Sequence, residues 1–125
     1  MIKGLHHISM KCGTAEEFEQ AKVFYIDLLG FKVIREWPEG IMLDCGNCAL
    51  EIFNNGDGVR SLGAIRHMAF ATNDVEDVVY KVKDAGYEVF IEPKDIVIRS
   101  DPEFHARMAF CFGPLGEQIE FFKEC

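Results

Sequence analysis

Leu5-His6-His7-Ile8-Ser9-Met10, near the start of the chain, returns as Ile65-Arg66-His67-Met68-Ala69-Phe70 halfway along it. Both stretches read as strands, and both carry a histidine in the third place. Each is followed some way downstream by an apolar strand with one glutamate inside it: Cys48-Ala49-Leu50-Glu51-Ile52-Phe53 in the first half and Gln118-Ile119-Glu120-Phe121-Phe122 in the second. Two half-sites of this kind, brought face to face, make a metal site of two histidines and two glutamates.

The segments between these strands repeat as well. Thr14-Ala15-Glu16-Glu17 and Asp74-Val75-Glu76-Asp77 each offer a side-chain cap with acid in the first helical turn. Apolar residues follow at helical offsets, Phe18, Ala21, Tyr25 and Leu28 in one copy and Val75, Val78, Val82 and Ala85 in the other. Gly30 and Gly86 stand where a helix ends in the left-handed region, and strand-like Phe31-Lys32-Val33-Ile34 and Tyr87-Glu88-Val89-Phe90 come next. The order strand, helix, three strands therefore occurs twice, across the polar run Asn54-Asn55-Gly56-Asp57-Gly58. A module of about sixty residues is small for a core of its own, so the expectation is one domain over residues 1–125, with module one about 1–58 and module two about 59–125.

Composition bounds the function. With 49% hydrophobic and 12% aromatic residues the chain can fill an interior, and no apolar run is long enough for a membrane span or a signal peptide. A formal charge of −8 argues against nucleic acid and against an anionic membrane, which leaves a small molecule as the expected partner. Five cysteines, an odd count without a secreted framework, point to reduced thiols and a cytoplasmic location. Cys45-Gly46-Asn47-Cys48 is a CxxC, but a redox cysteine wants a helix N-terminus and a zinc knuckle wants a second ligand pair. Gly46-Asn47 reads instead as the two-residue turn of a hairpin.

Strand alternation sets the faces. Leu5, His7 and Ser9 share one side and His6, Ile8 and Met10 the other, while His67, Ala69 and Ala71 lie opposite Met68 and Phe70. The bulky side packs on a helix; the side of His7, Ser9, His67, Ala69 and Ala71 suits a cavity floor. Glu51 and Glu120 are carboxylates inside apolar strands, where an unpaired buried charge costs several kcal/mol and is relieved by pairing, protonation or a metal. Taken singly, each of these four residues reads as half-exposed or structural; the repeat turns the set toward a site.

The segments Leu5-His6-His7-Ile8, Tyr25 through Phe31 (YIDLLGF), Leu50-Glu51-Ile52, Arg66-His67-Met68-Ala69-Phe70 and Gly113 through Glu120 (GPLGEQIE) resemble the vicinal oxygen chelate superfamily, which holds glyoxalase I, methylmalonyl-CoA epimerase, type I extradiol dioxygenases, fosfomycin-resistance enzymes and bleomycin-resistance proteins. The resemblance covers nearly the whole chain. It implies an α+β fold of two βαβββ modules whose eight strands make a cup-shaped mixed sheet, around one divalent metal held by His7, Glu51, His67 and Glu120. It also implies a homodimer. Two glutamates in the set resemble the glyoxalase I and epimerase branch, so the expected function is a metal-dependent lyase or isomerase of the lactoylglutathione lyase type acting on a small oxygen-rich substrate. The alternatives are a thiol transferase or dioxygenase on the same metal, or a non-enzymatic drug- or metabolite-binding resistance protein. Oxygen ligands with two imidazoles suit zinc, nickel, cobalt, manganese or iron.

In such a site the ion polarises a carbonyl, and Glu51 or Glu120 moves a proton on the neighbouring carbon. The smaller Ala49 beside Glu51 makes Glu51 the expected mobile base and Glu120 the fixed ligand. Arg35, Arg66 and Arg107 are candidates to meet a substrate anion, with the solvated surface as the commoner fate. His105 is placed in a long loop from Glu92 to Ala106, as a lid residue or a solvated one.

Overall fold

A computed structural model describes residues 3, 5–58 and 63–125. The chain divides into two compact units, Met1–Ser61 and Leu62–Cys125. Each folds as strand, helix and three strands.

In the first unit β1 (His7–Lys11) leads to helix α1 (Ala15–Lys22), then to β2 (Lys32–Trp37), β3 (Gly40–Asp44) and β4 (Ala49–Phe53). The second repeats it with β5 (Met68–Ala71), α2 (Val75–Asp84), β6 (Val89–Ile98), β7 (Phe104–Phe112) and β8 (Gln118–Glu124). Each unit has a four-stranded sheet of the same order, β1-β4-β3-β2 and β5-β8-β7-β6. The first strand of each pairs parallel with the last, and the remaining pairs are antiparallel, so both sheets are mixed. The α+β class and the doubled module stand as the sequence implied.

The helix starts follow from their caps. Thr14 accepts from the Glu17 N–H at 3.1 Å, while Glu17 reaches back to the Gly13 N–H at 2.9 Å, which satisfies two amides that would otherwise lack partners. Asp74 accepts from Asp77 N–H at 3.0 Å in the second module. The helix stops also match, with Gly30 at φ 79° and Gly86 at φ 91°, a region that costs a residue with a Cβ.

Helical phase differs from expectation in both modules. After Lys22 the chain widens into a π-helical stretch, Val23–Leu28, with the Leu29 N–H reaching the Phe24 carbonyl five residues back. The extra residue per turn buries Phe24 beside Ala21 and Tyr25, and leaves Phe18 and Leu28 half-buried. In α2 the buried positions are Val75, Val79 and Val82; Ala85 falls past the helix end and is exposed.

A larger correction concerns the residues between Glu92 and Ala106. They form no long loop, because β6 runs to Ile98 and β7 starts at Phe104, a long antiparallel hairpin with Val97 paired to His105. Pro93 sits inside β6 where the β6–β7 register shifts between Ile91 and Lys94, and a bulge tolerates a missing donor. Gly46-Asn47 does turn between paired strands, as Asp44 opposite Ala49 requires.

Strand alternation divides each sheet. In module one Ile41, Leu43, Leu50 and Ile52 are buried to within 1%, and in module two Ala109, Cys111, Ile119 and Phe121 to within 2%. Burying a Leu, Ile or Phe side chain stabilises by about 1.5–3 kcal/mol. These residues anchor β4 and β8 by one face, and that fixes where the intervening glutamates point.

Candidate functional site

Glu51 lies between Leu50 and Ile52 and so projects from the opposite face of β4. The parallel register sets Ser9 opposite Glu51 and His7 opposite Ala49, which places His7 on that same face, one step along. His7 Nε2 stands 3.7 Å from Glu51 Oε1, with the side chains 40% and 15% exposed. Module two repeats the arrangement with Ala69 opposite Glu120 and His67 just before β5. His67 Nε2 stands 3.7 Å from Glu120 Oε2, and the exposures are 40% and 12%. The structure thus joins the four sequence-derived residues as two pairs of matching geometry, His7 with Glu51 and His67 with Glu120.

These pairs fit the donor chemistry of a divalent ion. A histidine nitrogen and a carboxylate oxygen on one zinc-like ion lie about 2.0–2.2 Å from it, so they can stand at most about 4.3 Å apart. The observed 3.7 Å is inside that reach. Among the described residues no three histidine, cysteine, aspartate or glutamate side chains gather at one point, so each module offers a bidentate half-site.

Their surroundings differ. His6 precedes β1, so alternation does not bind it to the far face, and its Nδ1 meets His7 Nδ1 at 2.9 Å. A His7 Nδ1–H donating to His6 leaves the Nε2 lone pair toward Glu51, the tautomer a metal ligand needs. The corresponding residue in module two is Arg66, which is exposed. His67 instead packs edge-to-face on Phe110, with ring centroids 5.0 Å apart. Burial raises the Glu120 carboxyl above its ordinary value, an effect that His67 partly offsets.

Sequence reasoning missed the aromatic lining of module two. Phe110 is the register partner of Glu120, Phe90 stacks on Phe112 at 4.3 Å, and Phe104 stacks on Phe122 at 6.1 Å. The signal was the alternation of Phe110 and Phe112 on one strand with Phe122 on the next, at period two. Beside this lining a cavity of about 380 Å³ opens among Ala71, Thr72, Asn73, Phe122, Lys123 and Glu124.

The turn that launches β8 is held by Glu117, whose Oε1 accepts the Leu115 N–H at 2.8 Å while its carbonyl accepts Gly113 N–H at 2.8 Å. That turn leads the chain into β8, three residues before Glu120.

Residues 4–121 match the sequence profile of the Glyoxalase/Bleomycin resistance protein/Dioxygenase superfamily. The chain belongs to this superfamily. Relatives of the glyoxalase superfamily chain include the uncharacterized protein YwkD of Bacillus subtilis (strain 168), 29% identical with 99% of each chain covered. A glyoxalase family protein of Enterococcus faecalis is 26% identical, with 96% and 97% covered and a TM-score of 0.70. The trypanothione-dependent glyoxalase I of Leishmania major shares the fold at a TM-score of 0.74, over 98% of this chain and 87% of that one, with 23% identity.

Within this glyoxalase-superfamily chain the other candidates fall away from the pairs or stay beside them. Arg107 is engaged on the helix side, bonding Glu76 of α2 and, at 3.0 Å, Asp95 of β6. Those partners raise its pKa, and its guanidinium in turn lowers that of Glu76. His105 is exposed, 3.7 Å from Glu103. Arg35 is exposed too, but its register partner Met42 is also the partner of Glu51, so it shares the face of the first half-site.

Proposed function

We propose that the protein is a metal-dependent lyase or isomerase of the glyoxalase I type, in which His7, Glu51, His67 and Glu120 together hold one divalent ion. The observation that carries this reading is the duplicated histidine–glutamate pair, alike in register, separation and exposure. Neither pair alone supplies the three or four protein ligands that such ions take. When bound, the ion supplies Lewis acidity, polarising a substrate carbonyl and stabilising charge on its oxygen.

The chain's own residues supply the proton chemistry. A proton carrier must stand near the substrate carbon and be free to leave the ion for part of the cycle, a role open to a metal-ligating carboxylate. The smaller Ala49 beside Glu51 leaves that carboxylate room to swing, so Glu51 is the mobile base and Glu120 the fixed ligand. Phe110, the register partner of Glu120 and the ring on which His67 packs, keeps water from the carboxylate. Arg35 is available to an anionic group on the face of Glu51. Exposed apolar residues on the edge strands, Val33 and Ile34 of β2 and Val97 and Ile98 of β6, support action as a homodimer.

Protein purified without chelator tests the reading by its metal content and by turnover of the hemithioacetal of a 2-oxoaldehyde and a thiol. The expected result is one divalent ion per chain and metal-dependent isomerisation to a thioester. Two ions per chain, none, or a loaded protein that leaves hydroxy-thioester formation at the uncatalysed rate would overturn it.

A further inference from the structure

The hairpin turn between β3 and β4 does more than reverse the chain. Cys45 and Cys48 occupy its two ends, where the Cys45 N–H donates to the Cys48 carbonyl at 3.1 Å and the Gly46 N–H to Asp44 Oδ1 at 2.8 Å. Gly46 takes φ 116°, which tightens the bend. The result is a Cys45 Sγ to Cys48 Sγ separation of 3.2 Å, with both side chains half-buried at the surface. A disulfide bond is about 2.05 Å long, so about 1.2 Å remains to be closed.

We propose that Cys45 and Cys48 are a dithiol–disulfide couple, oxidised within the turn by a low-molecular-weight disulfide. The chemistry divides unequally between the two sulfurs. Cys45 donates its thiol proton to the Cys48 carbonyl at 2.9 Å, and burial pushes its pKa up to about 11, so it stays a thiol. Cys48 therefore attacks first: its thiolate bonds one sulfur of the small disulfide, the small S–S bond breaks, and the departing thiolate takes up the proton Cys48 released. Cys45 sulfur then attacks Cys48 Sγ, expelling the second small thiolate, which takes the Cys45 proton. Two electrons leave the pair, and one protein disulfide and two small thiols result. The raised Cys45 and the absence of a helix N-terminus at this turn make the reaction a slow, stoichiometric modification rather than a fast oxidoreductase cycle. Proximity at 3.2 Å compensates the poor nucleophile in the second step.

The remaining cysteines serve as internal controls. Cys12 and Cys111 are fully buried, and Cys125 is exposed at the end of the chain. The test incubates the full chain with oxidised glutathione, blocks free thiols by alkylation and maps the tryptic peptides by mass spectrometry. The peptide holding Cys45 and Cys48 is expected to lose two hydrogens without gaining glutathione, to resist alkylation and to recover both thiols in dithiothreitol, while Cys125 gains a mixed disulfide. In Cys45→Ser the same peptide is expected to carry one glutathione, on Cys48. Full alkylation of both residues in the wild-type chain under conditions that modify Cys125, or stable glutathione adducts in place of the disulfide, would overturn the proposal. An unmodified Cys48 in a folded Cys45→Ser chain would overturn the order of attack.

Discussion

Glu117 stands three residues before Glu120 and holds the turn that leads into β8. Its Oε1 is the acceptor for the buried Leu115 N–H at 2.8 Å. Glu117→Ala leaves that amide without its charged partner, a loss of about 1.5–3 kcal/mol. Unfolding entropy for 125 residues, at about 2.1 cal/mol/K each, is about 0.26 kcal/mol/K, so Tm falls by about 6–11 °C if the whole chain melts together. If module two melts alone the same loss is spread over half the residues, and the fall is about twice as large. Gly113→Ala strikes the same carboxylate from the other side, because a Cβ there would meet Glu117 Cδ at 2.5 Å and Ile119 Cδ1 at 2.9 Å. The two substitutions are therefore not independent: with Glu117 already cut to alanine, Gly113→Ala should cost less by about 1 kcal/mol or more. Thermal and urea melts of the wild type, both single variants and the double variant make the cycle. Additivity within about 0.5 kcal/mol would refute the claim that one carboxylate holds this turn.

Metal linkage offers a second check: a divalent ion at about a hundred times its Kd stabilises by about 2.7 kcal/mol, or about 10 °C for this chain, and Glu51→Gln or Glu120→Gln should each abolish that rise in a differential melt if the ion is shared. In metal-free protein the raised Glu120 carboxyl holds its proton to higher pH in the folded chain than in the unfolded one, so stability declines as pH rises from the ordinary carboxylate value to the raised one. Urea melts across acid and neutral pH should show that this decline is smaller in Glu120→Gln. Replacing Cys45 and Cys48 together with serine should leave metal content unchanged, since neither belongs to a histidine–glutamate pair; halved metal content in elemental analysis would contradict that. Arg107→Ala should weaken the tie between α2 and β6 in a manner that added salt already mimics in the wild type, as melts at low and high ionic strength would reveal.

What the sequence disclosed and what it hid follow from the range of the interactions involved. Caps at Thr14 and Asp74, helix stops at Gly30 and Gly86 and the side on which Glu51 and Glu120 point are all set within a few residues, and all were legible. The pairing of His7 with Glu51 was legible only because the motif occurs twice, since one histidine and one glutamate forty-four positions apart carry no local signal. The π-helical widening after Lys22 was hidden, because each residue there also suits an ordinary helix and tertiary burial of Phe24 decides the matter. The long β6–β7 hairpin was hidden by Pro93, whose missing donor is absorbed by a bulge that depends on the partner strand. The contact of His6 with His7 was hidden, since alternation holds inside a strand and β1 begins one residue later.

His67 and His7 match in their separation from a glutamate but not in what their rings touch. His67 stands edge-to-face on a phenylalanine, whereas His7 stands against another imidazole. In a magnetic field the circulating electrons of Phe110 displace the resonances of the protons near that contact, and an imidazole neighbour does so more weakly. Each half of the molecule therefore carries its own frequency. A titration followed through the histidine ring protons would report on the two halves as separate signals, in one sample and without a label.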